Sequence, residues 1–112
     1  MTLQEIIERL QLKVLTEPKD FTSISPSSGY ISDLLSCVMS GAKSQGIWVT
    51  LQAHMNIVAV AALLELSAII ITEDASPDAA TLARANAEGI TLLGTADPSF
   101  SVVGKLWELG LR

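Results

Sequence analysis

The chain has 112 residues, a single cysteine and a formal charge of −5, and 49% of it is hydrophobic. That length and apolar share suit one compact domain over residues 1–112 with a core of its own. The acidic balance, with no basic cluster, argues against nucleic acid and against anionic membrane surfaces, since both need Lys or Arg to neutralise phosphate; the lone Cys37 excludes an internal disulfide.

The first ten residues, "MTLQEIIERL", mix charges with apolar side chains, unlike a signal peptide. Thr2 and Glu5 have capping-box spacing. Leu3, Ile6, Ile7 and Leu10 form one stripe, so a helix is expected over Thr2–Leu10. "KVLT", residues 13–16, reads as a short strand. Residues 17–29 are rich in Pro, Ser and Gly and read as loop, with a short strand expected near Phe21–Ile24.

From Ser32 onward the pattern is regular. "SDLLSCVMSGA" is a helix with Ser32 as N-cap and Gly41 near its end. "IWVTL" is a strand, and residues 54–66 form a helix. "AIIIT", residues 68–72, is a strand without polar alternation, so both of its faces are covered. "SPDAATLARANAEG" is a helix with Ser76 as N-cap, Pro77 at its first position and Gly89 at its stop. "ITLLGT" is a strand. "DPSFSVVGKLWELG" is a helix with Asp97 as cap and Gly110 at its end.

Apolar strands alternating with helices imply parallel pairing through helical crossovers. The expected fold is therefore a small three-layer α/β domain, with a mainly parallel sheet and helices on both faces. Val49, Ile70 and Leu92 should sit on neighbouring strands. The longest charge-free apolar run, Ile57–Leu64, is far short of a membrane span. A cytoplasmic protein is expected. A helix that is apolar all round must cover both sides, which points to a homodimer burying that run or the surface beside it, or to a larger partner protein.

In open parallel sheets, ligands sit at the carboxyl ends of the strands. Three strands here end in threonine: Thr50, Thr72 and Thr95. "TLQAHMN" follows the first. Its Gln52, His54 and Asn56 fall on the edge where such a fold binds small molecules. His54 offers one donor and one acceptor to a ligand, or fastens its own loop. Gln52 and Asn56 suit a base edge or a small polar molecule, or staple loops. Asp33 suits a ribose hydroxyl or an amine, or simply stabilises a helix start through the dipole. The candidate ligand-binding set is Asp33, Thr50, Gln52, His54, Asn56 and Thr72.

Other chemistry lacks its parts. "GAKSQG", residues 41–46, has neither the residue order nor the position of a phosphate loop. Ser27 and Ser28 have no base for a hydrolase triad. One histidine without clustered Cys or acids makes no metal site. Cys37 reads as a small packed residue, and Trp48 and Trp107 as core or interface anchors. No catalytic residue, metal or cofactor is expected.

"GYISDLLSCVMSGAK", "IWVTLQAHMNIVAVAALLELSAIIIT" and "SFSVVGKLWELG" together resemble the stand-alone DRTGG-domain proteins, from about Gly29 to Gly110. The resemblance implies a small α/β regulatory domain, related to domains attached to CBS pairs and to phosphate acetyltransferases. It also implies similarity to the N-terminal domain of HPr kinase/phosphorylase. In this chain the loop before Tyr30 reads "SISPSSGY". Gly29 survives, and the Asp-Arg-Thr portion of the family motif is absent. Three functions compete. The first is a non-catalytic regulatory module that binds a nucleotide or an anionic metabolite at the carboxyl edge. The second is a homodimeric protein-interaction module without a ligand. The third is phosphoryl transfer through His54, for which the phosphate loop is missing.

Overall fold

A computed structural model describes residues Met1–Arg112. The elements are α1 (Leu3–Leu10), β1 (Lys13–Val14), a 3-10 turn (Phe21–Ser23), β2 (Gly29–Ile31), α2 (Leu35–Gly41) and β3 (Ile47–Thr50). They continue with α3 (Asn56–Leu64), β4 (Ala68–Ile71), α4 (Ala79–Glu88), β5 (Leu92–Gly94) and α5 (Ser99–Glu108). The strands form one sheet in the order β1-β5-β4-β3-β2. β2 to β5 are parallel, and β1 closes one edge antiparallel to β5. Val49 pairs with Ile70, and Ile69 with Leu92, so the three expected strands are neighbours. This is the expected α/β fold.

Alternation along each strand builds two cores. Ile47, Val49, Ala68, Ile70 and Leu93 face α1 and α5. Trp48, Ile69, Ile71 and Leu92 face α2, α3 and α4. A run such as "AIII" carries no polar position because each residue is buried on one side or the other. The crossovers β2–β3, β3–β4 and β4–β5 all carry their helices on the second face. After β5 the chain turns to the first face. The carboxyl ends of β4 and β5 are therefore where adjacent connections diverge, one strand over from the end of β3 that leads to His54.

α1 forms as its cap spacing demands. Thr2 Oγ1 accepts from the Glu5 N–H at 3.2 Å, and the Thr2 N–H donates to Glu5 Oε1 at 3.1 Å. The bond from the Thr2 backbone holds the Glu5 carboxyl below its ordinary value.

Elsewhere the local expectations need correction. The segment near Phe21 is a 3-10 turn and not a strand, because Asp20 accepts from the Thr22 N–H and caps it. The edge strand lies at Gly29–Ile31, between the expected loop of residues 17–29 and the helix expected from Ser32. α2 accordingly starts at Leu35, and Ser32 Oγ accepts from the Leu34 N–H at 3.1 Å in the turn before it. "KVLT" contributes only Lys13 and Val14 to the sheet. Asp78, not Ser76, caps α4, accepting from the Thr81 N–H at 2.8 Å. α5 begins after Pro98, and its first N–H, on Ser99, donates to Glu73 Oε2 from the end of β4 at 2.9 Å. Cys37 lies on the exposed side of α2, where Val38 supplies the buried contact.

α3 is the middle helix of its layer. Ile57, Val58 and Ala61 face the sheet, and α2 and α4 flank it. Its all-round apolar character is thus met largely within the chain, leaving Leu63 as its exposed large side chain. No helix is long and apolar enough to cross a membrane.

Candidate functional site

The β3–α3 loop crosses the carboxyl edge of the sheet, and the side chains there are wired to the β2–α2 turn. Thr50, fully buried at the end of β3, donates through Oγ1 to Asp33 Oδ1 at 2.7 Å. The Leu51 N–H donates to the same oxygen at 2.9 Å. The Gln52 N–H donates to Thr50 Oγ1 at 3.1 Å, and the Gln52 side-chain amide donates to the Asp33 carbonyl at 2.7 Å. Asp33, Thr50 and Gln52 are thereby one hydrogen-bonded unit. Asp33 Oδ2 takes no part in it, and the residue is exposed.

Thr72 is also fully buried. Its N–H donates to the Thr50 carbonyl at 3.0 Å, and its hydroxyl meets the Ser99 hydroxyl at 2.5 Å. It joins the ends of β3 and β4 to the start of α5 from beneath the surface. The β4 end itself is tightly wound. Glu73 and Asp74 both have φ of 60°, held by bonds from their N–H groups to the carbonyls of Asp97 and Thr95.

His54 and Asn56 differ from the other four candidates. Both are exposed, and neither side chain bonds to the rest of the chain. His54 lies in an open depression of about 480 Å³ with Leu51, Gln52, Ala53, Ala75, Ser76 and Asp78. Asn56 starts α3 outside that lining. The structure therefore brings Gln52 and His54 to one depression and leaves Asp33 behind Gln52. Asn56 stands on the next turn.

The α4 start is the part that sequence reasoning missed. "SPD" signals a helix cap, yet nothing in it shows that Ser76 and Asp78 face His54 across the strand ends. Asp78 is held below its ordinary carboxyl value, first by the bond from the Thr81 backbone and, to a lesser degree, by the positive form of His54. Leu51 and Met55, in the same loop, are exposed, so apolar area adjoins the polar groups. No three His, Cys, Asp or Glu side chains come together as a metal-binding group.

The chain is thus a small α/β domain whose polar side chains gather at the carboxyl ends of its parallel strands, and in fold it is DRTGG-like. The chain is similar to a crystal structure of the CBS and DRTGG domains of the regulatory region of Clostridium perfringens pyrophosphatase, complexed with its activator diadenosine tetraphosphate. The TM-score is 0.75 at 17% identity, over 94% of this chain and 45% of that one. The chain thus spans less than half the length of that regulatory region. No protein-family model matches the sequence, and no curated protein matches it.

Proposed function

We propose that this chain is a non-catalytic, cytoplasmic regulatory module, a single DRTGG-like domain over residues 1–112, that binds a nucleotide at the carboxyl edge of its sheet. The observation that carries the reading is the state of His54, exposed and unbonded in a depression with Gln52, Ser76 and Asp78. A polar ring held at a strand end without an internal partner suits recognition of a small molecule. The likeness to a regulatory region that holds a dinucleotide activator supports the same class of ligand.

The charge of the edge orients that ligand. Asp33, Glu73, Asp74, Asp78 and Asp97 all lie near the strand ends, so a bare polyphosphate meets like charge there. The nucleoside end is the part that fits. Leu51 and Met55 offer apolar area to a base, His54 and Asn56 offer hydrogen bonds, and Asp33 Oδ2 suits a ribose hydroxyl. Thr50 and Thr72 serve this site by fixing the loops that carry the others.

The test is a calorimetric and thermal-shift series with adenosine, AMP, ATP and diadenosine polyphosphates. A true ligand at 100 times its dissociation constant raises stability by about 2.7 kcal/mol. If none of these moves the unfolding midpoint at millimolar concentration, the second reading replaces the first. That second reading is a homodimeric protein-interaction module, favoured by the large apolar side chains that α5 leaves in solvent.

A further inference from the structure

The sheet has two edges, and they are treated differently. β1 exposes Lys13, the kind of charge that keeps an edge from pairing with another chain. β2 has no such guard. It reads Gly29-Tyr30-Ile31, with no charge and no proline, and it ends the sheet. The Ser28 carbonyl accepts from the Ile47 N–H at 2.8 Å, and the Ser32 N–H donates to the Val49 carbonyl at 3.3 Å. Residues 28, 30 and 32 therefore turn their backbone groups toward β3. Gly29 and Ile31 turn theirs outward, where no strand meets them.

Beside this edge, on the α5 face, lies an apolar surface. Ile31 is 47% exposed, Trp107 57% and Phe100 91%. Val103 and Gly104 complete a groove with them, and a second groove runs from Gly29 along Val49 and Leu106 to Leu111. Phe100, Val103 and Trp107 recur at helical spacing, so they form one ridge along α5. A side chain built at Gly104 would meet nothing within 4 Å. Nothing inside the chain therefore requires glycine there, at the middle of the ridge. The side-chain charges at the rim, Glu108 and Arg112, offset one another, and the Arg112 guanidinium lies 4.9 Å from the Trp107 ring centroid.

We infer that this face joins two copies of the chain, with their β2 strands antiparallel about Tyr30 and their α5 helices side by side. Gly29 of each copy then pairs with Ile31 of the other, and each pair exchanges both of its outward hydrogen bonds. A two-fold axis through the sheet keeps both α5 helices on the same face. Because they run antiparallel, the Phe100 end of one lies against the Trp107 end of the other. The notch at Gly104 gives room to the facing aromatic side chain. The balanced side-chain charge of the patch lets two copies with a formal charge of −5 each approach at this face. The inference rests on the homodimer reading and specifies its surface; it does not depend on whether the His54 depression holds a ligand.

Light scattering and sedimentation of the full chain test it, with Phe100→Lys and Trp107→Lys beside the native sequence. The native chain is expected to be a dimer at tens of micromolar. Each substitution should raise the dimer dissociation constant by about 30-fold or more, the size of a central aromatic contact. Phe100 touches almost nothing in the single chain, so the unfolding midpoint of Phe100→Lys at high dilution should match that of the native chain. The register has its own readout in a Cys37→Ser background. There, a Gly29→Cys chain mixed with an Ile31→Cys chain should form an intermolecular disulfide that neither forms alone. A native chain that is monomeric at ~100 µM overturns the homodimer reading altogether. A dimer that ignores both lysine substitutions and gives no mixed disulfide overturns this surface and leaves that reading standing.

Discussion

The hydroxyl of Thr50 donates to Asp33 Oδ1 at 2.7 Å and ties the end of β3 to the turn that opens α2. The same hydroxyl accepts from the Gln52 N–H, so one buried oxygen holds both sides of the loop that presents His54. Thr50→Val keeps the shape and removes both bonds. Solvent can rehydrate Asp33, whereas the part-buried Gln52 N–H loses its acceptor. A loss of about 1–3 kcal/mol is expected in urea unfolding, with Thr50→Ser recovering much of it. A valine variant as stable as the native chain would show that the bond network is idle.

His54 should behave in the opposite way. Its ring is exposed and bonds to nothing in the chain, so His54→Ala should change stability by no more than about 0.5 kcal/mol. If the nucleotide reading holds, the same change should weaken binding of the best adenosine compound by about tenfold, one hydrogen bond's worth. Titration calorimetry on the two proteins gives both numbers. A clear stability loss together with unchanged affinity would return His54 to the role of a loop staple.

The layers of this fold were legible because their signals are local. "IWVT" and "AIII" are buried on both faces, and the helices between them announce themselves by caps and stops. β2 was illegible for the opposite reason. "GYI" is short, led by glycine and half-exposed, and it becomes a strand only by pairing with β3. The proline-bearing starts misled by one or two positions. Asp78 rather than Ser76 reaches the Thr81 N–H, and Glu73 supplies from β4 the cap that α5 lacks in its own sequence. At the site, strand-end placement picked out Gln52 and His54. The bond that consumes one oxygen of Asp33 spans 17 residues, and the approach of Asp78 to His54 crosses from one crossover to the next. Contacts of that kind depend on strand order, which no local pattern encodes.

Asp78 offers a pH-dependent test of the α4 start. Its folded carboxyl lies below the ordinary value of 3.8, first because of the Thr81 N–H, next because of the Thr81 side chain and least because of His54. A group depressed in the folded state contributes stability that is present above its unfolded value and lost as pH falls through the folded one. Native stability should therefore decline as the solution is acidified below about pH 4. Asp78→Asn keeps a cap oxygen without a titrating charge. It should be close to native in stability at pH 7 and should show a shallower decline in acid. Parallel acid curves for the two proteins would remove Asp78 from the account.

Gly104 lies inside α5 with open space where a side chain would be. Glycine in a helix interior costs about 1 kcal/mol relative to alanine, because it loses more backbone freedom on folding. In a single chain, Gly104→Ala should therefore raise stability by about that amount, read from thermal or urea unfolding at high dilution. A methyl group is small enough to leave the neighbouring ridge of Phe100 and Trp107 undisturbed. Gly104→Leu should fold as well in the diluted chain, since leucine also favours helix, but it fills the notch between those two side chains. It should weaken self-association while leaving the monomer intact. If both variants associate as the native chain does, the open space at Gly104 has no occupant. If alanine destabilises the diluted monomer, the helix itself requires the glycine.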